Sequence, residues 1–182
     1  NRGESYTMVT RSDQSIDVAA PLEVETTQTV NSDGLIGAYV NSNKPVVVNS
    51  GSMNGSFGTG SGRDYGFDQI VDYSKVGSEY IFVKGTGLDA WENVLLVAHT
   101  DATTITINGL GVSNGIVHGK GMNVSSASPA IASASIDAGE YFLIEGDLYS
   151  ADGNMYVQSS APVFAFQGIG FGGSEANQGL FF

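Results

Sequence analysis

A strand–turn–strand pattern occurs twice in this chain. Residues 3–9 read Gly-Glu-Ser-Tyr-Thr-Met-Val, and residues 139–144 read Gly-Glu-Tyr-Phe-Leu-Ile. In residues 37–48, and again in residues 154–165, a Tyr-Val pair leads through small polar residues to a proline and an apolar strand. One such unit cannot bury its own apolar face, so we expect the two copies to share a core. We also expect residues 3–10 and 139–145, and residues 44–49 and 161–167, to be equivalent strands.

The duplication also predicts how the chain is divided. We expect a first, partial repeat over residues 1–62, with an insertion near residues 12–30, and a second repeat over residues 63–182. Both repeats would lie in one globular body. The abrupt start at Asn1 and the end at Phe182 indicate a fragment of a longer protein.

The residue composition predicts strands rather than helices. The chain contains 25 glycines and is rich in Val, Thr, Ser and Asn. Glycine costs a helix about 1 kcal/mol relative to alanine, and Val, Thr and Asn are also poor helix formers. The same residues suit strands and tight turns. The predicted fold is all-β, an antiparallel β-sandwich, with the blades of a β-propeller as the alternative.

Turn signals separate the predicted strands. Thr104–Ile107 alternates with a period of two and runs into Asn108-Gly109, which is typical of a hairpin. Val94–Ala98 is almost continuously apolar, as expected for a strand that is covered on both faces. Two stretches rich in Gly and Ser, residues 50–66 and 111–134, are expected to be long loops.

The charge balance excludes several classes of partner. Seven Lys and Arg residues face nineteen Asp and Glu residues, which gives a net charge of −12. Nucleic-acid binding needs a basic surface, and an anionic membrane would repel this chain. No apolar run approaches the roughly 18 residues that span a bilayer. The sequence has no cysteine, so disulfides and thiolate metal sites are excluded.

Four short motifs together resemble a known family. They are Tyr-Ile-Phe-Val-Lys-Gly-Thr at 80–86, His-Thr-Asp-Ala-Thr-Thr-Ile-Thr-Ile-Asn-Gly at 99–109, Ala-Gly-Glu-Tyr at 138–141 and Ser-Ala-Pro-Val at 160–163. In this order they resemble the IgG-Fc-binding protein N-terminal domain family, and Gly62–Ile70 is similar to its connector between repeats. The resemblance covers most of the chain from Gly34 to Phe182.

The resemblance implies a large secreted or cell-surface protein, of the kind that gliding bacteria export by the type IX secretion route. Fc binding itself is not carried over. That name comes from an animal mucus protein with many cysteines, and this chain has none.

No catalytic set is evident in the sequence. Gly-Val-Ser-Asn-Gly at 111–115 matches a nucleophile elbow around Ser113, but the required strand-to-helix context is missing. Ser113 could be imagined in a triad with His99 and Asp101. Asp101 is better suited to accept backbone N–H bonds two residues on, in the turn before the next strand. Glu140 is likewise expected to serve a turn. We therefore expect that the chain is not an enzyme.

Calcium is the cation that the sequence favours, because carboxylate and carbonyl oxygens on loops are its usual ligands. Asp64 and Asp68, with Asp72 nearby, form the densest acidic set. A second set consists of Asp147, Asp152 and Asn154. Ordinary solvated surface carboxylates are the alternative interpretation. No other cofactor is expected.

The single tryptophan, Trp91, is a candidate for ligand binding. It lies in a predicted loop, where an aromatic ring could form a platform for a sugar. The alternative is that Trp91 covers one end of the core.

These observations favour a non-catalytic extracellular module of a bacterial cell-surface protein, used in adhesion or surface presentation. The alternative is the carbohydrate-binding part of an extracellular hydrolase. The expected partners are other domains of the same long chain and surface glycans or proteins. Neither nucleic acid nor membrane insertion is expected.

Overall fold

The computed structural model describes residues 3–8, 36–55, 64–89, 92–108, 110–111, 117–118, 121–124, 134–144, 146–172 and 174–175. Regular structure within these residues consists of strands and single 3₁₀ turns, which confirms the all-β prediction. The 3₁₀ turns are Tyr73–Lys75 and Gly146–Leu148. The strands, in chain order, are β1 (Val48–Gly55), β2 (Asp64–Ile70), β3 (Gly77–Val83), β4 (Thr86–Gly87), β5 (Val94–Ala98), β6 (Thr103–Ile107), β7 (Leu110–Gly111), β8 (Val117–His118), β9 (Gly121–Val124), β10 (Ala134–Ile136), β11 (Tyr141–Ile144), β12 (Asn154–Gln167), β13 (Gly170–Gly172) and β14 (Ser174–Glu175).

Among the described residues these strands form three sheets. The largest has nine strands in the order β10-β6-β12-β5-β11-β9-β8, with β3 paired to β12 and β7 paired to β6. Its pairing is antiparallel except between β11 and β9. A two-stranded ribbon is formed by β1 and β2, and a small third sheet by β14, β13 and β4. One large antiparallel sheet fits the sandwich-like prediction and not separate propeller blades.

The large sheet changes its strand pairing at one level, where two connections between strands lie beside a register shift in β12. The first part of β12 pairs with β3 and β6, and its last part, residues 163–167, pairs with β5. Beside β12, residues 99–102 connect β5 to β6, and residues 137–140 connect β10 to β11. The sheet becomes a nearly closed, barrel-like body. We call the two connections, residues 99–102 and 137–140, together with residues 159–162 within β12, the corner.

Alternating side chains from these strands fill the core. In β6, Thr103, Ile105 and Ile107 are buried, while Thr104 between them is exposed. In β5 nearly every residue is buried, as the sequence predicted for Val94–Ala98. Each large apolar side chain removed from water contributes about 1.5–3 kcal/mol. The fully buried apolar residues are Phe142, Leu96, Ile105, Ile136, Ile144, Met155, Val94, Val157 and Val163.

The two copies of the sequence pattern do not occupy equivalent positions in the described residues. Residues 3–8 contain no strand, whereas their counterpart contains β11. Similarly, β1 pairs only with β2 among described strands, whereas residues 163–167 pair with β5 in the large sheet. The expected equivalence is wrong here because an apolar pattern specifies a strand but not its neighbour. The proposed division into residues 1–62 and 63–182 stays a prediction.

The two expected long loops also contain strands. Ser50–Gly55 belongs to β1 and Asp64–Gly66 to β2, which pair with each other. Within residues 111–134, β8 and β9 form an antiparallel pair. Glycine and serine weaken the sequence signal of a strand, but backbone pairing does not depend on the side chain.

Candidate functional site

Two carboxylates of the corner each bind the turn that carries the other. Asp101 Oδ1 accepts the N–H of Ala138 at 3.0 Å, and Asp137 Oδ1 accepts the N–H of Ala102 at 2.9 Å. Ala102 has a φ of 55°, a left-handed value that alanine seldom adopts. The reciprocal bonds therefore tie the β5–β6 connection to the β10–β11 connection and hold a strained residue in place.

Further side chains of the corner also bind backbone groups. Glu140 Oε2 accepts the N–H of Asp137 at 2.7 Å, and Ser160 Oγ accepts the N–H of Thr104 at 2.9 Å. These bonds confirm the turn role predicted for Glu140. The backbone-acceptor role of Asp101 is confirmed too, but its partner was wrong. Asp101 was expected to accept an N–H from a residue two positions further along the chain. It accepts the N–H of Ala138 in the neighbouring turn instead, and local sequence cannot reveal a contact of this kind.

Three aromatic rings stack beside the corner. The His99 ring lies 3.9 Å from Tyr73 and 5.6 Å from Tyr39, measured between ring centroids. The interplanar angles are 32° and 43° respectively. Tyr39 is 73% exposed, whereas His99 and Tyr73 are half-buried. We call Tyr39, His99 and Tyr73 the aromatic cluster. Sequence analysis missed it because its members come from three distant segments.

A close contact between two glycines brings Tyr39 to this position. Gly37 and Gly139 have φ values of 78° and 84°. A Cβ atom on Gly37 would overlap the backbone of Gly139, so residue 37 must lack a side chain for the two segments to meet. A glycine of the first sequence copy thus contacts a glycine of the second, although the two do not hold matching positions in the repeat.

A second polar group lies at the start of β5, at the opposite end of this strand from the corner. Glu92 is fully buried, and its two carboxylate oxygens accept the N–H groups of Gly85 at 2.9 Å and Gly87 at 2.8 Å. The buried Tyr149 hydroxyl has no hydrogen-bond partner among the described residues. Burial, helped by the Glu92 carboxylate, raises the pKa of Tyr149 well above its ordinary value. Glu92 therefore anchors the segment that carries β4.

The predicted calcium ligands, Asp64 and Asp68, lie in one strand, β2, and not in a loop. Four residues of strand span roughly 13 Å, which is far more than two ligands of one ion allow. Asp68 Oδ1 accepts the N–H of Gln69 at 2.6 Å. Asp72 caps the first 3₁₀ turn, and hydrogen bonds from Ser74 lower the pKa of its carboxyl. In the described part of the chain, no group of three or more His, Cys, Asp or Glu could hold a metal ion. Calcium binding through one of these residues stays a prediction.

Two further predicted positions lie outside the described residues. They are Trp91 and Ser113. The sugar-binding interpretation of Trp91 and the imagined triad around Ser113 therefore stay predictions.

The fold and the corner define an all-β module whose acidic corner residues bind backbone N–H groups. The family model described as IgGFc binding protein matches residues 1–180. The chain belongs to the IgGFc binding protein family, as its motifs predicted, and this is a family of extracellular-type binding modules. No curated protein and no solved structure shows significant similarity to it. Among the described helical segments, none is long and apolar enough to cross a membrane.

Proposed function

We propose that this domain is a non-catalytic module that recognises other macromolecules in adhesion or surface presentation on a bacterial cell. Membership of a family of binding modules supports recognition as the function. The observation that carries the proposal is that the acidic and the aromatic side chains at the corner have different roles. Its acidic side chains bind the protein's own backbone, while Tyr39 of the aromatic cluster is open to solvent.

The use of the corner carboxylates argues against acid–base catalysis there. A catalytic carboxylate must be within hydrogen-bond reach of a substrate proton. Asp101, Asp137 and Glu140 each have an oxygen bonded to a backbone N–H group. His99 is stacked on two tyrosine rings, which orients its imidazole for packing.

The aromatic cluster has the properties of a recognition surface. Tyrosine combines a large apolar face with a polar hydroxyl and is enriched among residues that dominate binding energy. The Tyr39 ring contacts His99, which in turn contacts Tyr73. A ring held in this way loses little conformational freedom when a ligand binds, so more of the contact energy contributes to affinity. Sugars and protein side chains both suit such a ring.

The test immobilises the domain and measures, by biolayer interferometry, its affinity for a panel of purified ligands. The panel contains mucin, collagen, bacterial surface polysaccharide and the Fc fragment of IgG, the last because of the family's name. Tyr39→Ala should weaken binding of any positive ligand about tenfold or more, as for a central interface tyrosine. Tyr6→Ala, which removes a tyrosine that is 91% exposed elsewhere, is the matched control. Hydrolysis of a panel member, or equal binding by the Tyr39 variant, would contradict the proposal.

A further inference from the structure

The outer face of β3 carries apolar side chains that the core does not use. Ile81 is 72% exposed and Val83 is 62% exposed, whereas Phe82 between them is buried in the core. In the part of the chain that the structure describes, only β12 pairs with β3. The Gln167 side-chain amide donates to the Val83 carbonyl at 2.6 Å. The edge without a strand neighbour therefore extends from Ile81 back towards Gly77.

The neighbouring strand β12 extends this face. Tyr156 lies opposite Ile81, and Gln158 lies opposite Glu79. Gln158 Nε2 donates to Glu79 Oε1 at 3.0 Å. Partial burial and the nearby Glu79 carboxylate raise the pKa of Tyr156. We call Glu79, Ile81, Val83 and Tyr156 the β3 face.

The β3 face carries a negative charge without a cationic partner among the described residues. The groups that contact the Glu79 carboxylate are the neutral amide of Gln158 and the hydroxyl of Tyr156. Of the two lysines nearest in sequence, Lys75 acts on the Asp72 carboxylate and Lys84 is paired with Asp89. An apolar patch beside an uncompensated carboxylate is complementary to a surface that combines apolar and basic side chains.

The same charges disfavour a second copy of the chain as the occupant. Two copies that met through β3 would bring two Glu79 carboxylates close together, and each chain carries a net charge of −12. Such like-charge contacts oppose association. A negative charge on an open edge is also a common protection against pairing between identical strands.

We propose that the β3 face docks an extended, positively charged segment of another protein. Apolar side chains of that segment would pack on Ile81 and Val83, and a lysine or arginine would pair with Glu79 over the Tyr156 ring. Ion pairing and cation–π contact both favour a cation at this place. The inference rests on the proposed function of the domain as a recognition module. It adds a second binding surface, the β3 face, and names the class of partner that this surface binds.

The experiment titrates the ¹⁵N-labelled domain with a ten-residue capped peptide of alternating valine and lysine, followed by NMR. Amide shifts should saturate and cluster in residues 77–83 and 154–158. Ile81→Asp should weaken binding about tenfold, the scale expected for loss of one good apolar contact. Glu79→Gln should weaken it and reduce its dependence on salt. Val47→Asp, at a residue that is 70% exposed outside the β3 face, should leave affinity unchanged.

Several results would overturn the inference. They are equal binding of a valine–glutamate peptide, shifts that map elsewhere, an equal effect of Val47→Asp, and dimerisation of the free domain through β3. Ile81→Thr keeps a β-branched residue and serves as the variant of choice if Ile81→Asp does not fold. If the peptide fails to bind while a panel ligand still depends on Tyr39, the β3 inference fails and the proposed function stands. Loss of all binding by a folded domain defeats the proposed function.

Discussion

At the scale of single residues, Glu92 and Tyr149 show two outcomes for a buried polar group. The Glu92 carboxylate is satisfied by two backbone N–H groups, those of Gly85 and Gly87. The Tyr149 hydroxyl is buried without a hydrogen-bond partner among the described residues. An unsatisfied buried hydroxyl costs about 1–3 kcal/mol, whereas a well-bonded carboxylate contributes to stability. Removing the Glu92 carboxylate should therefore lower the stability of the domain, whereas removing the Tyr149 hydroxyl should not.

Replacing Glu92 by glutamine should destabilise the domain. The amide retains one acceptor oxygen but places an NH₂ group against a backbone N–H, so one charge-assisted bond is lost. We expect the free energy of unfolding to fall by about 1.5–3 kcal/mol. Urea denaturation measures this change. Asp152→Asn, at an exposed carboxylate, is the control and should stay within about 0.5 kcal/mol of the wild type.

Replacing Tyr149 by phenylalanine should leave the domain equally stable or more stable at pH 7, and less sensitive to alkali. Because the pKa of Tyr149 is raised by folding, the unfolded chain loses its proton first as pH rises. The stability that depends on the protonated hydroxyl is complete below about pH 10 and is lost at higher pH. Denaturation from pH 8 to 11 should therefore show a steeper loss for the wild type. Parallel curves would contradict the buried position of the hydroxyl.

At the scale of elements, the corner is where the large sheet changes its strand pairing. Two connections between strands lie beside the register shift in β12, and side-chain bonds to backbone groups join the three segments. These bonds satisfy N–H groups of the two connections and of β6 at the corner. Because these groups are exposed and water can replace a lost acceptor, each bond contributes only about 0.5–1.5 kcal/mol.

Removal of one corner carboxylate should loosen the corner. Asp137→Ala leaves the N–H of Ala102 without its acceptor and frees the strained turn. Because this bond is exposed, we expect a loss of about 0.5–1.5 kcal/mol in the free energy of unfolding, together with faster amide hydrogen exchange at residue 102. Thermal and urea unfolding with exchange NMR measure both effects. If exchange at Ala102 does not change, the bond does not hold the turn.

Much of this architecture could be predicted from the sequence, and some of it could not. The β-rich composition, the alternation in β6 and the continuous apolar run of β5 predicted strands, because these patterns report local burial. The turn chemistry of an aspartate before β6, and the Gly-Glu pair that recurs in the two copies, predicted turn roles for Asp101 and Glu140. The partner of Asp101 and the stacking of Tyr39 on His99 depend on contacts between distant segments, which periodicity does not encode. The prediction that the two repeats form equivalent strands was wrong for the same reason, because strand neighbours are also set by contacts between distant segments.

At the scale of the whole molecule, the net charge of −12 shapes both stability and recognition. It repels other acidic molecules and favours cationic partners. Repulsion within the folded domain is relieved by salt, so stability should rise modestly from low to moderate ionic strength.

Calcium is the particular cation that we expect to stabilise this acidic domain. If Asp64 or Asp68 holds the ion, calcium should raise the melting temperature more than sodium chloride of equal ionic strength does. Asp68→Asn should reduce that difference if Asp68 is a ligand. The same melting temperature in calcium and in chelator, at low ionic strength, would show that these carboxylates are plain surface charge.

The central claim is that the acidic corner serves the fold while the exposed aromatic cluster serves recognition. The most direct test is to compare the affinities of Asp101→Ala and Tyr39→Ala for the same panel ligand, under conditions where circular dichroism shows both to be folded. The account predicts wild-type affinity for Asp101→Ala and a loss of about tenfold or more for Tyr39→Ala. Loss of binding in Asp101→Ala, with wild-type affinity in Tyr39→Ala, would contradict it.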